Sequence, residues 1–92
     1  MIRSFRSAAS RRFAERGDTS KLSVQNPDRI RRILWALNKA TRPAQMNIPG
    51  FRFHALRGHD KGRYAVDASA NWRITFAWSG PDAIDIDLED YH

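Results

Sequence analysis

The chain has 92 residues, contains no cysteine and carries a formal net charge of +6. This length suits a single domain over residues 1–92, and the lack of cysteine excludes a disulfide framework and a cysteine-ligated zinc site. The sequence has no run of about 18 apolar residues and no secretory signal, so we expect a cytoplasmic protein with no membrane segment.

Basic side chains are concentrated in the first part of the chain. Residues 1–42 hold eleven basic and three acidic side chains, whereas residues 43–92 hold five basic and seven acidic ones. A segregated positive charge favours an anionic partner. We therefore expect the N-terminal part to supply most of the attraction to such a partner.

The N-terminal region predicts a short strand followed by a helix. Residues 1–6 form the strand, and Ser7 caps a helix that runs to about Arg16. Serine suits this position because its hydroxyl can accept a hydrogen bond from an unpaired amide of the first turn. Gly17 then allows the left-handed conformation that ends many helices.

A second helix is predicted after a polar connection at residues 18–25. Asn26 can cap it, and Pro27 suits its first position because no amide hydrogen is needed there. Apolar residues recur at helical spacing and predict the buried face: Ile30, Ile33, Leu34 and Leu37. The basic side chains left for solvent or a partner are Arg29, Arg31, Arg32 and Lys39.

Four strands are predicted after a loop rich in proline and glycine at residues 41–50. They are placed at residues 51–57, 63–69, 72–78 and 83–89, with turn signals between them. Such short connections are typical of an antiparallel meander. In the last two strands apolar residues alternate with polar ones, so one face of the sheet is core and the other is open: Trp72, Ile74, Phe76 and Trp78, then Ile84, Ile86 and Leu88.

These elements predict an α+β fold of order β-α-α-β-β-β-β. The two helices supply the apolar surface that covers the core face of a mainly antiparallel sheet. Functional side chains are then expected on the open face.

The histidines and the last three residues are the first candidates for chemistry. Asp90, Tyr91 and His92 combine groups of different proton affinity, which suits either acid–base catalysis or a solvated acidic tail. His54, in the string FRFHALRG, is a weaker candidate because a single strand histidine is more often structural. His59, in the HDKG turn, is interpreted as structural.

Arg73 is a candidate phosphate ligand, since it projects from the open face between two core residues. A guanidinium held in this way can bind a phosphate and stabilise its developing charge. The alternative is an ion pair within the sheet, with Asp67, Asp85 or Asp87 as partner. A basic patch near the HDKG turn adds general attraction to a nucleic-acid backbone: Arg57, Lys61 and Arg63.

The ordered strings PGFRFHALRG, GRYAV, NWRITF and the terminal DYH resemble the HigB-type toxins, a plasmid-maintenance killer group within the RelE/ParE superfamily. The resemblance covers essentially the whole chain. It implies two N-terminal helices on one face of a mainly antiparallel, curved sheet, and cleavage of mRNA in the ribosomal A site. The catalytic positions of the family correspond to His54, Arg73, Asp90, Tyr91 and His92.

The resemblance also implies roles for the basic and polar residues around that site. Arg57 stands where the family commonly has lysine, so we expect it to contact phosphate and to transfer no proton. The other expected RNA contacts are Lys61, Arg63 and Asn71. The expected ribosome-docking residues are Arg29, Arg31, Arg32 and Lys39.

The implied reaction is attack of a ribose 2′-hydroxyl on the adjacent phosphate, without a metal or another cofactor. The implied partners are the ribosome, mRNA and a HigA-like antitoxin, with operator DNA bound only through the toxin–antitoxin complex. Two other interpretations stay open. One is a non-cleaving, ParE-like gyrase inhibitor, and the other is a basic RNA-binding or ribosome-binding module without catalysis.

Overall fold

The structure, a computed structural model, describes residues 1–16, 27–69 and 71–90. It contains two α-helices, α1 (Ala8–Arg16) and α2 (Pro27–Lys39), and four strands, β1 (His54–Ala55), β2 (Tyr64–Asp67), β3 (Trp72–Ser79) and β4 (Asp82–Asp90). Short 3-10 helices, which the sequence did not predict, occupy Pro43–Met46 and Gly58–Asp60. The predicted combination of helices with an antiparallel meander is confirmed.

The start of α1 follows the predicted cap. The Ser7 hydroxyl accepts a hydrogen bond from the Ser10 amide at 3.1 Å, which satisfies one amide of the first turn. The Ser10 hydroxyl in turn accepts the Leu88 amide at 3.1 Å, so α1 lies beside β4. The predicted helix stop at Gly17 and the predicted cap at Asn26 fall outside the described residues.

The core lies between α2 and the sheet. Ile30, Ile33 and Leu37 are buried on α2, and Leu34 packs against them partly exposed, so the predicted apolar stripe is confirmed. Burial of such side chains supplies most of the stability of a small domain, at about 1.5–3 kcal/mol for each large one. On the sheet side the buried residues include Val66, Ile74, Phe76, Ala83 and Ile86. Helix α2 packs on this core face, and α1 contacts β4.

The strands are ordered β1-β2-β3-β4, and every neighbouring pair is antiparallel. The N-terminal segment runs parallel to the outer side of β4, where Ile2 pairs with Ala83 and Phe5 pairs with Ile86. The strand predicted at residues 1–6 is therefore reduced to two bridges. Between them the Asp85 amide donates to the Ser4 hydroxyl at 2.9 Å, so the backbone ladder is interrupted there.

A bulge in β4 changes which side chains share a face. Ala77 pairs with Ile84, but Thr75 pairs with Asp87, so one extra residue of β4 lies opposite Phe76. Asp85 lies within this bulge and has a left-handed φ of 51°. The prediction that Ile84 shares the core face with Ile86 and Leu88 is wrong, because the extra residue reverses the alternation.

Strand β1 is much shorter than the predicted strand at residues 51–57. Only His54 and Ala55 pair with β2. Arg52 has a left-handed φ of 53°, which interrupts an extended ladder, and Gly58 at 68° begins the next turn. The chain still follows β2, since the Asp67 amide donates to the Phe51 carbonyl at 2.8 Å.

Replacing Asp85 tests the left-handed bulge. Asp85→Val should lower the free energy of unfolding by about 1–3 kcal/mol, because a β-branched residue is strained at positive φ. Asp85→Asn is the matched control, since asparagine tolerates this conformation and keeps an oxygen for the Ser4 hydroxyl. Urea denaturation measures both variants. Equal stability of the two would contradict a strained position.

Candidate active site

The open face of the sheet brings together side chains from all four strands. Residues that lie opposite one another in a sheet project from the same face. One row of partners contains His54, Ala65, Thr75 and Asp87, and the next contains Asp67, Arg73 and Glu89. Arg73 therefore lies on the open face, as predicted, with His54 on the same face across β2.

Glu89 is the centre of a polar cluster on this face. One carboxylate oxygen, Oε1, accepts a hydrogen bond from Arg73 Nη2 at 3.3 Å, and the other, Oε2, accepts the Thr75 hydroxyl. Thr75 Oγ1 accepts Arg63 Nη2 at 2.8 Å, and the same nitrogen lies 2.8 Å from the Asp85 carbonyl oxygen. We call Arg63, Arg73, Thr75 and Glu89 the Glu89 cluster.

The Glu89 cluster is largely removed from solvent. Thr75 is fully buried and Arg63 is 8% exposed. Burial, together with the nearby charge of Arg6, lowers the pKa of the Arg63 guanidinium. Burial alone would raise the pKa of the Glu89 carboxyl, but the hydrogen bonds from Thr75 and Arg73 and the charges of Arg73 and Arg63 outweigh it, so this pKa lies below its usual value. Glu89 is therefore ionised at neutral pH.

The structure corrects the predicted environment of Arg63. The sequence predicts an exposed basic patch with Arg57 and Lys61, but the Arg63 guanidinium is buried on the open face, where it donates to the Thr75 hydroxyl and the Asp85 carbonyl. The sequence gives no sign of this burial, because an arginine directly before a strand is typical of polar surface. Arg57 and Lys61 are exposed, as expected.

The ion pair of Arg73 has a partner that the sequence did not predict. The sequence offers Asp67, Asp85 and Asp87 as candidates, and the structure shows an ion pair between Arg73 Nη2 and Glu89 Oε1 at 3.3 Å. Glu89 lies opposite Arg73 only because the bulge shifts the register of β4 by one residue. The two side chains are 22% and 26% exposed, so the pair borders the solvent. The phosphate role of Arg73 stays a prediction.

His54 is exposed, and its ring is oriented by the backbone. Its Nδ1 lies 2.8 Å from the Arg52 carbonyl oxygen. A carbonyl accepts only, so Nδ1 carries the proton in this contact and Nε2 remains available for proton transfer. His54 and Arg73 are separated by two strand spacings across the sheet and by two residues along the strands, which puts their Cα atoms about 12 Å apart. Side chains at this separation can contact one nucleotide from two sides.

The last three residues are described only in part. The backbone of Asp90 pairs with Trp72, the residue before Arg73, so β4 ends beside Arg73. Tyr91, His92 and the side chain of Asp90 lie outside the described residues. Their catalytic roles stay a prediction.

Arg29, an expected docking residue, contacts the chain itself. Its Nη2 donates to the Gly50 carbonyl at 2.7 Å and to the Asp67 carbonyl at 3.1 Å. Its guanidinium also lies over the Phe51 ring, 5.4 Å from the centroid. Arg29 therefore fastens α2 to the loop before β1 and to the end of β2.

The other basic residues of α2 are exposed. Arg31 forms a helical ion pair with Asp28 at 2.7 Å, and Arg32 faces the solvent. Lys39 Nζ lies 4.8 Å from the ring centroid of Trp35, which is 64% exposed. Asn71, expected to contact RNA, is also exposed. These positions are compatible with the predicted contacts, which stay predictions.

Among residues 1–16, 27–69 and 71–90, no group of three or more histidine, aspartate or glutamate side chains is arranged to hold a metal ion. Neither α1 nor α2 has the length and apolar character needed to cross a membrane.

Comparison with known proteins gives two similarities that cover all or nearly all of the chain. The family described as RelE-like toxin of type II toxin–antitoxin system HigB matches residues 3–92. The chain is also similar to a protein of Proteus vulgaris named Endoribonuclease HigB, with 37% identity over 92 residues that cover the whole of both chains. Both agree with the resemblance that the sequence strings indicated.

The lowered pKa of Glu89 predicts how stability depends on pH. A carboxyl whose pKa is lower in the folded state stabilises the fold above its unfolded pKa of about 4.3, and this contribution is lost as pH falls through the folded value. Glu89→Gln should therefore cost about 1–3 kcal/mol at pH 7. Its deficit relative to the wild type should shrink towards pH 3.

Urea denaturation at a series of pH values between 7 and 3 measures this difference. Glu15→Gln is the control, because Glu15 is an exposed carboxylate of α1. A deficit of Glu89→Gln that is the same at pH 7 and pH 3 would show that the charge of Glu89 does not stabilise the fold.

Proposed function

The chain belongs to the RelE-like toxins of HigB type II toxin–antitoxin systems, and from this membership we propose that it is an mRNA endonuclease that acts on the ribosome. The observation that carries the proposal is the full-length similarity to Endoribonuclease HigB at 37% identity. The open face supports it independently, because an oriented, exposed imidazole and an arginine project from one face of the sheet.

The chemistry is attack of a ribose 2′-hydroxyl on the neighbouring phosphorus. A base removes the hydroxyl proton, the bond to the 5′-oxygen breaks, and an acid protonates that oxygen, which leaves a cyclic phosphate and a 5′-hydroxyl. His54 or Asp90 takes the first proton, and His92 supplies the second. Tyr91 stacks on or orients the nucleotide, and Arg73 stabilises the charge on the phosphate. This sequence of steps uses neither a metal nor another cofactor.

The surroundings of this site suit a backbone ligand. Arg57, Lys61 and Asn71 are exposed and can contact phosphates on either side of the scissile bond. DNA lacks the attacking hydroxyl and should not be cleaved. The open face cannot enclose a substrate, so the ribosome supplies the positioning that a closed site would give.

The exposed basic residues of α2 are proposed to dock on ribosomal RNA. Arg31, Arg32 and Lys39 contribute charge to this surface. Arg29 contributes less, because its guanidinium is held by two carbonyl groups of the chain.

Replacing His54 tests the catalytic assignment. His54→Ala should lower mRNA cleavage by about 10²- to 10⁴-fold, the usual contribution of a general acid or base. His59→Ala is the matched control, since His59 is an exposed histidine of the same segment. Mapping of transcript 5′ ends in a translation extract measures both. Unchanged cleavage by His54→Ala, or gyrase inhibition without new RNA ends, would contradict the proposal.

A HigA-like antitoxin is the proposed partner, and operator DNA is bound only by the complex of the two proteins. Co-expression with the product of the adjacent gene should yield a stable complex and restore growth. Retention of an operator fragment should require both proteins, which a mobility-shift assay with each protein alone and with both would measure. Binding of the fragment by the toxin alone would contradict this arrangement.

A further inference from the structure

The Glu89 carboxylate is fixed by two donors of different kinds. Arg73 occupies Oε1 and Thr75 occupies Oε2, so the plane of the carboxylate is defined at both oxygens. A carboxylate held by a single long side chain could rotate, because its terminal torsion is soft. Arg73 and Thr75, which are two residues apart on the same face of β3, remove that freedom by donating to both oxygens.

The Thr75 hydroxyl is itself oriented from the other side. It accepts Arg63 Nη2 at 2.8 Å and can therefore direct its own hydrogen only towards Glu89. Arg63 is anchored in turn by the Asp85 carbonyl at 2.8 Å. The result is a chain of hydrogen bonds in which Arg63 donates to Thr75 and Thr75 donates to Glu89, and Glu89 also accepts a hydrogen bond from the guanidinium of Arg73.

The burial of this chain makes it rigid. Thr75 is fully buried and Arg63 is 8% exposed, whereas Arg73 reaches the surface of the open face. Hydrogen bonds and ion pairs are stronger where water is excluded, and a buried arginine is costly without partners. The orientation of Arg73 is thus restricted by neighbouring groups that have little freedom to move.

We infer that Glu89, held by Thr75, is a positioning residue that orients Arg73 towards the scissile phosphate. The inference rests on the proposed function, in which Arg73 contacts that phosphate. A guanidinium is planar, with five N–H donors in fixed relative directions, so holding Nη2 against Glu89 restricts the directions in which the others can point. Donors that are aligned before the charge develops lower the barrier more than donors that must reorganise.

A double-mutant cycle distinguishes this role from direct participation of Glu89. Wild type, Arg73→Ala, Glu89→Ala and the double variant are compared by single-turnover cleavage of mRNA on saturating ribosomes. Arg73→Ala should lower the rate by about 10²- to 10³-fold. Glu89→Ala should lower it by about 10- to 100-fold, as for other residues that orient a ligand-binding group. The double variant should be no slower than Arg73→Ala, because Glu89 acts through Arg73.

Further measurements separate positioning from a purely structural role. Glu89→Gln keeps an oxygen that can accept Arg73 Nη2, so it should recover part of the rate lost in Glu89→Ala. The ribosome concentration for half-maximal rate should be unchanged in both, since docking involves other residues. Asp87→Asn is the matched control, because Asp87 lies on the same strand and face but accepts a hydrogen bond from Ser10 at 3.4 Å. It should cleave at nearly the wild-type rate.

Several results would overturn the inference. Multiplied losses in the double variant would show that Glu89 acts on the substrate or through another group, and a wild-type rate for Glu89→Ala would show that it does not act. If Glu89→Ala fails to fold, the same cycle with Glu89→Gln decides, and equal fractional losses in the presence and absence of Arg73 would refute the coupling. Absence of cleavage by the wild type would overturn the proposed function, and this inference with it.

Discussion

The left-handed residue in β4 is the constraint on which the arrangement of the open face depends. The bulge at Asp85 adds one extra residue to β4. From there to the C-terminal end of β4, each side chain points to the face opposite to the one that an uninterrupted strand would give it. Without the bulge, Leu88 would lie opposite Arg73, and β4 would place no carboxylate opposite the guanidinium. Ser4 and Arg63 hold the bulge from two directions, one by its hydroxyl and one by its guanidinium.

The buried arginine links this backbone feature to the proposed chemistry. Arg63 needs acceptors because desolvation of its charge is costly, and the Asp85 carbonyl and Thr75 hydroxyl supply them. Thr75 donates a hydrogen bond to Glu89, and Glu89 accepts one from Arg73, so the orientation of Arg73 depends on both residues. Fold and site therefore share one set of hydrogen bonds. We therefore expect a change at Arg63 to affect both the stability of the fold and the orientation of Arg73.

The features that the sequence predicted well are local ones. Ser7 caps α1 by accepting a hydrogen bond from an amide only three residues away. The apolar stripe of α2 follows from the helical spacing of its apolar residues, and the antiparallel meander follows from the short turns between the strands. The register of β4 was missed because the bulge depends on Ser4, 81 positions from Asp85. The place of Arg73 on the open face was predicted from alternation, but its partner Glu89 was not. His54 is exposed on that face, whereas the contribution of the terminal residues stays a prediction.

The two edges of the described sheet bear on whether the protein can self-associate through strand pairing. Strand β4 is covered on its outer side by the N-terminal segment, and the opposite border of the described sheet is β1, only two residues long. Unpaired strand edges are templates on which other chains add, and very short edges interrupted by left-handed residues resist this. Arg52 and Gly58 provide such interruptions. The sheet thus offers little continuous unpaired backbone to which another chain could add a strand, even when no ligand lies on the open face.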